Sequence, residues 1–172
     1  MGNADIEKKH QHRALGIDPG LAATGYAVLG TLQRKGELCA WGAIKTMAQQ
    51  STPQRLKRIY EAVSGLIEQW RPDILVLEDV YVFNVFPKAA IQLGEVRGVI
   101  YLAAQDNNIA VMKIKPTEVK SCLTGNGRAT KSQVKNSVSR ILGMHEELKP
   151  DHASDAAALA LMALSRAGYF QW

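Results

Sequence analysis

The chain of 172 residues holds only two cysteines, Cys39 and Cys122, and no CxxC pair. That excludes a disulfide framework and a cysteine-based zinc site. Both read as small core or near-surface residues of a protein in a reducing, cytoplasmic setting. No apolar run approaches the roughly eighteen residues of a membrane span, so no membrane association is expected. The first twelve residues, MGNADIEKKHQH, lack any hydrophobic stretch. They read as a flexible polar extension without an export signal, in which His10 and His12 are incidental rather than ligands. Residues 13–170 contain no internal repeat and no linker, and so form one domain. No GxGxxG follows a first strand, and Gly125-Asn126-Gly127 comes after a predicted helix, which excludes a dinucleotide-binding fold.

What is present suits a globular protein with a real core: 47% hydrophobic and 22% charged residues, against a disordered composition. The formal net charge of +5 permits a polyanionic partner, and its distribution says more. From Lys113 to Arg140 seven basic residues (Lys113, Lys115, Lys120, Arg128, Lys131, Lys135, Arg140) face one acid, Glu118. After residue 140 the sign reverses, with Glu146, Glu147, Asp151 and Asp155 against Lys149 and Arg166. A basic surface beside an acidic pocket is what a metal-dependent enzyme acting on a phosphate polymer needs. A merely solvated helical face is the plainer alternative.

Hydrophobic periodicity orders the chain. RALGID (13–18), GYAVLG (25–30) and residues 38–44 read as three short strands with tight connections, hence an antiparallel meander. Thr52-Pro53 reads as a Thr cap followed by a first-turn proline, opening a helix with apolar residues from Leu56 to Trp70 at helical spacing. DILVLED (73–79) contains a continuous apolar run, the mark of a strand buried on both faces. A helix over 88–107, a strand over 109–114, a short helix from Pro116 to about Thr124 and a helix over 131–142 follow. An alanine-rich helix starts near His152, with Asp151 as its cap. The fold class is therefore α/β: one mixed five-stranded sheet, three antiparallel strands then two parallel, flanked by helices.

Acids interrupt or head apolar elements at three places. Asp18 closes the first strand, Glu78 lies near the end of the buried fourth strand, and Asp155 sits in the first turn of the last helix. His152, three residues before Asp155, shares its helical face. Each has an ordinary alternative: a turn acid before Pro19-Gly20, a strand reaching solvent, a helix N-terminal acid, a surface histidine. Together they can assemble an oxygen-rich pocket suited to Mg²⁺ or Mn²⁺. Two such ions would serve phosphodiester hydrolysis.

ALGIDPGLAATGYAVL (14–29), VLED (76–79), AIQLGEVRG (90–98), GNGRATKSQV (125–134) and DHASDAAALAL (151–161) together resemble the RuvC family, bacterial Holliday-junction resolvases of the ribonuclease H-like superfamily. The resemblance runs from residue 14 to about 167. LGIDPG alone is shared loosely with other ribonuclease H-like and actin-like proteins; the five segments in this order are far more specific. It implies a ribonuclease H-like domain that nicks four-way DNA junctions symmetrically as a homodimer during recombination and repair. It also implies dependence on Mg²⁺ or Mn²⁺, two ions per site, and coupling to the branch-migration proteins RuvA and RuvB. The location implied is the cytoplasm, at the nucleoid.

Carried over position by position, the resemblance makes Asp18, Glu78 and Asp155 the catalytic and metal-holding acids. His152 completes the site where many members carry Asp and others His. Water would be the nucleophile. Lys120 and Lys131 match basic DNA-contacting positions flanking the glycine turn, and Lys115 and Arg128 are further phosphate contacts on physical grounds. Tyr81 fits an aromatic position after the glutamate and is placed to stack on an unpaired base. The following Asn84-Val85-Phe86 departs from the family pattern, which has an asparagine where Val85 stands. The Ala90, Gly94 and Gly98 face of the next helix resembles the family's dimer helix. Two alternatives remain at this level: another ribonuclease H-like nuclease acting on structured RNA, and a junction-binding protein that does not cleave.

Overall fold

Alternation along the strands decides the architecture. In β1 (Arg13–Asp18), Leu15 and Ile17 enter one core while Ala14 enters the other, as a period of two requires. A computed structural model describes residues 12–33, 35–79, 87–144 and 148–169. In it β1 pairs antiparallel with β2 (Ala23–Leu32), and β2 antiparallel with β3 (Lys35–Lys45). β1 also pairs in parallel with β4 (Ile74–Glu78), and β4 in parallel with β5 (Ala110–Ile114). The sheet order is β3-β2-β1-β4-β5. This is the mixed five-stranded sheet expected. β1 has the expected bounds, whereas β2 and β3 run longer than the periodicity marked, because their ends continue the ladder between them.

Helices cover both faces. On one lie α1 (Thr52–Trp70) and α2 (Pro87–Asp106), which contribute Ile59, Val63, Ile67, Val96 and Ile100 to a core with Leu15, Ile17, Val28, Leu75 and Leu77. Each such side chain, fully buried, is worth about 1.5–3 kcal/mol. On the other lie α3 (Pro116–Thr124), α4 (Lys131–Ile141) and α5 (Asp151–Arg166), packed on Ala14, Ala27, Leu29, Val76 and Ile114. β4 lies inside the sheet, between β1 and β5, and Leu75, Val76 and Leu77 of its ILVL run are buried, as the continuous apolar pattern anticipates.

Two helix starts differ from the expected ones. The cap of α1 is Ser51, not Thr52, and the Gln54 side chain accepts from the Ser51 N–H at 2.9 Å. The S-x-x-Q spacing closes a capping box, which Thr52 cannot, because Arg55 stands three residues after it. The cap of α5 is Pro150, with Asp151 already helical. The Asp151 carboxylate pairs with Lys135 Nζ at 2.6 Å instead of turning back to its own backbone. At α3 the expected break holds: Gly125 ends the helix in the left-handed region, φ 74°. His12, placed in the polar extension on sequence grounds, stacks on Tyr169 at 3.5 Å, and its carbonyl accepts from Thr31; residues 1–11 lie outside those described.

Candidate metal centre and basic rim

Parity puts two acids on one face. Ala14 and Val76 face α5, so Asp18 and Glu78, an even number of residues further along their strands, face it too. The parallel β1–β4 ladder runs to the Ile17–Leu77 pair, leaving both acids abreast one residue later at the carboxyl ends of adjacent strands. β1 then turns at Pro19-Gly20, where the buried Thr24 hydroxyl donates to the Gly20 carbonyl at 2.8 Å.

The last helix brings the rest. α5 crosses β1 and β2 at two glycines: a Cβ on Gly16 would overlap the Ala156 carbonyl, and one on Gly25 would overlap the His152 backbone. Alanines at 153, 156, 157 and 160, all buried, allow the same close approach from the helix side. The first turn of α5 is thereby laid over the end of β1. His152 Nδ1 donates to Asp18 Oδ2 at 2.7 Å. Ligand atoms of Asp18, His152 and Asp155 lie within 4.8 Å of one another, and this cluster can hold a divalent metal ion. Glu78 lines the same cavity, of about 470 Å³, with Lys120, Lys131 and the apolar Val119, Val134 and Leu159.

Electrostatics at the site tell one story. Burial pushes the Asp18 carboxyl above the usual carboxylate range, opposed by the His152 hydrogen bond and reinforced by the charge of Asp155. Burial also raises Glu78, and the charges of Asp18 and Asp155 push the same way. Three acids thus crowd a partly desolvated space that lacks positive charge. Lys131 partly supplies it: its Nζ lies 2.6 Å from Asp155 Oδ2, a hydrogen bond that raises the lysine's own pKa.

The donor set fits a hard divalent cation. Carboxylate oxygens dominate, an ammonium already sits against one of them, and Asp18 accepts the Nδ1 proton of His152. That contact holds the His152 ring beside the carboxylates in the same cavity.

The structure brings Asp18, Glu78, His152 and Asp155 together, with Lys120 and Lys131 on the cavity wall. Lys115, immediately before α3, and Arg128, in the turn between α3 and α4, are exposed outside the cavity lining. Tyr81 and the Asn84-Val85-Phe86 segment lie outside the described residues.

Sequence reasoning missed three supports. Thr130 caps α4 and accepts from the Gln133 N–H at 3.2 Å, which fixes the helix turn that begins with Lys131; T-x-x-Q in the sequence was the available signal. Lys135 is paired with Asp151 one helical turn beyond the Lys131–Asp155 pair, readable as matched i, i+4 spacings on two helices. Arg97 donates to the Glu78 carbonyl at 2.6 Å, and no sequence pattern marks a side chain that binds backbone.

Comparison with known proteins agrees with this geometry. The profile of the family described as "Crossover junction endodeoxyribonuclease RuvC" matches residues 14–163. The crossover junction endodeoxyribonuclease RuvC of Fusobacterium nucleatum is 35% identical over 156 residues, covering 91% of this chain and 82% of that protein. The Thermus thermophilus RuvC structure superposes with a TM-score of 0.81 at 30% identity, covering 91% of this chain and 97% of the other. T. thermophilus RuvC in complex with a Holliday junction substrate superposes equally well, TM-score 0.81, at 28% identity, covering 92% and 98%. With the family's sequence signature, its fold and a cluster able to hold a metal all in one chain, this protein belongs to the RuvC family of crossover junction endodeoxyribonucleases.

Proposed function

We propose that this chain resolves four-way DNA junctions by metal-dependent hydrolysis of phosphodiester bonds in opposed strands, during recombination and repair. One observation carries the reading: Asp18, Glu78, His152 and Asp155 line a single cavity whose wall also bears Lys120 and Lys131, in a chain of the RuvC family. The four side chains would hold Mg²⁺ or Mn²⁺, two ions per site. Bound there, such ions acidify a water and stabilise charge on the phosphodiester oxygens.

The chain's own residues do the rest. His152 donates to Asp18 and so keeps that carboxylate oriented toward the cavity. Lys120 and Lys131, with Lys115 and Arg128 outside the cavity, draw the sugar-phosphate backbone over the acids without reading bases. Tyr81 is assigned a stacking role at an unpaired base. Water is the nucleophile; Cys39 is half-buried and Cys122 lies away from the acids, in a separate groove with Glu118 and Arg166.

Two opposed nicks require two sites related by the junction's two-fold symmetry, hence a homodimer. α2 supports this: among the described residues nothing lies within 4 Å of a Cβ added at Gly94 or Gly98, and Ile91 and Leu102 are exposed. That small-residue face is free of its own sheet. RuvA and RuvB are the proposed partners, and the cytoplasm, at the nucleoid, the proposed location; among the described residues no helix is long and apolar enough to cross a membrane.

The test is a labelled four-way junction beside linear duplex of the same arms, with Mg²⁺, Mn²⁺ or EDTA, resolved on native and denaturing gels. Paired nicks in opposed strands, only with metal and only on the junction, are expected. Junction binding with no cleavage under either metal would favour a non-cleaving binder. Preference for a structured RNA competitor would favour an RNA nuclease.

A further inference from the structure

The side of the sheet away from the cavity holds a cluster that the proposed chemistry does not use directly. Arg97, on α2, reaches the end of β4, where its Nη1 donates to the Glu78 carbonyl at 2.6 Å. Its Nη2 donates to the Tyr101 hydroxyl at 2.8 Å. Arg97 and Tyr101 are four residues apart and so share one helical face. The guanidinium carbon also stands 5.7 Å from the Tyr101 ring centroid, and Lys113 Nζ on β5 stands 5.5 Å from it. One tyrosine is thus held by cations from α2 and β5, close to the last residue of β4.

That end of β4 needs holding. Glu78 still pairs with Ile114 of β5, but the ladder to β1 has stopped at Ile17–Leu77. Asp79 makes one further backbone bond, its N–H to the Ile114 carbonyl at 2.8 Å. On the β1 side the Glu78 peptide has run out of strand, and an uncompensated carbonyl there would be costly. One donor of a rigid planar fork ties that peptide to α2 while the other anchors the guanidinium to Tyr101 of the same helix, and charge-assisted bonds of 2.6–2.8 Å are among the stronger ones available.

We propose that Arg97 is a positioning residue for Glu78: its bridge from the Glu78 carbonyl to the Tyr101 hydroxyl fixes the end of β4 and so aims the Glu78 carboxylate into the cavity with Asp18 and Asp155. The inference rests on the proposed metal-dependent reading of that cavity. Position and charge predict opposite signs. A guanidinium near an acidic centre repels a divalent cation, so a purely electrostatic Arg97 would weaken metal binding and its removal would tighten it. A positioning Arg97 strengthens metal binding, and its loss weakens it.

The experiment uses the full chain and three variants, Arg97→Met, Arg97→Lys and Tyr101→Phe, with Glu78→Gln as reference. Mn²⁺ affinity is measured calorimetrically without DNA, junction affinity in EDTA, and single-turnover cleavage at saturating junction; thermal melts establish folding. Arg97→Met is expected to weaken Mn²⁺ binding and slow cleavage by roughly 10–100-fold, the usual loss for a partner behind a metal ligand, with junction affinity within about twofold. Arg97→Lys keeps the charge but loses the fork, and should fall with Met rather than rescue. Tyr101→Phe removes one anchor and should lose less. Unchanged or tighter Mn²⁺ binding in Arg97→Met, full rescue by Lys, or a fall confined to junction affinity would each overturn the proposal. So would unchanged Mn²⁺ binding in Glu78→Gln. If the wild type fails to cleave junctions at all, the Mn²⁺ measurements still decide the role of Arg97, separately from the proposed activity.

Discussion

The two faces of the sheet are built from different materials. Against α1 and α2, which bring Ile59 and Ile100, stand Leu15, Ile17, Leu75 and Leu77, all six fully buried. Against α5 stand Gly16, Gly25, Ala14 and Ala27, with alanines opposite. Each of the large side chains on the first face buries more apolar area than an alanine does. The second face gives up area to bring backbones together, and that closeness is what sets His152 and Asp155 over Asp18. One face holds the fold and the other places the chemistry.

Substitutions should separate the two. Asp18→Asn lies on the α5 face and is expected to cut cleavage by more than about 100-fold, beyond the loss typical of a metal ligand's hydrogen-bond partner. Its effect on folding should run the other way. Asp18 and Glu78 have folded-state pKa values raised above the ordinary 3.8 and 4.5. The native state therefore holds more protons than the unfolded state between those ordinary values and the raised ones, and stability falls as pH rises through that window. Above it the full penalty of two ionised, half-buried acids remains. In metal-free buffer at neutral pH, Asp18→Asn should melt slightly higher than wild type, and Mn²⁺ should raise the melting temperature of wild type alone. A variant that melts lower and still cleaves would undo the division between faces.

A paired comparison sharpens it. Ile59→Ala, on the α1 face, leaves a cavity and should cost about 2–5 kcal/mol, a melting temperature lower by roughly 5–15 °C; the protein that remains folded should bind Mn²⁺ normally. Gly16→Val should cost at least as much, because even its Cβ would meet the Ala156 carbonyl, and it should also weaken Mn²⁺ binding, because α5 must move off β1. Calorimetry beside thermal melts reads both quantities on the same samples. The smallest effect belongs to the rim. Lys120→Ala should lower junction affinity evenly across sequences and reduce the slope of log K against log salt by about 1, measured by fluorescence anisotropy in EDTA.

Much of this was legible in the sequence because the strongest signals are local. ILVL says that β4 is covered on both sides, and the alanines of α5 say that a helix packs tightly. An acid at the end of an apolar run is conspicuous, which is how Asp18, Glu78 and Asp155 stand out in the sequence alone. Other features are relational. Whether Ser51 or Thr52 caps α1 depends on which side chain Gln54 reaches. The bond from Arg97 to the Glu78 carbonyl joins a side chain to a main-chain atom nineteen residues away, and nothing in the letters at 78 and 97 encodes it. Gly16 and Gly25 read as ordinary strand glycines until the helix that fills their missing side chains is in place.

Those two glycines have a consequence for what selection can see. Suppose β1 and β2 were randomised and survivors chosen only for soluble expression. Gly16 and Gly25 should return as glycine, because any Cβ there meets the backbone of α5. Asp18 should drift toward uncharged residues, since folding alone is better off without its charge. Choosing survivors for junction cleavage instead should restore Asp18 and leave the glycines as they were, so that the two libraries, laid side by side, would separate the positions kept for shape from those kept for work.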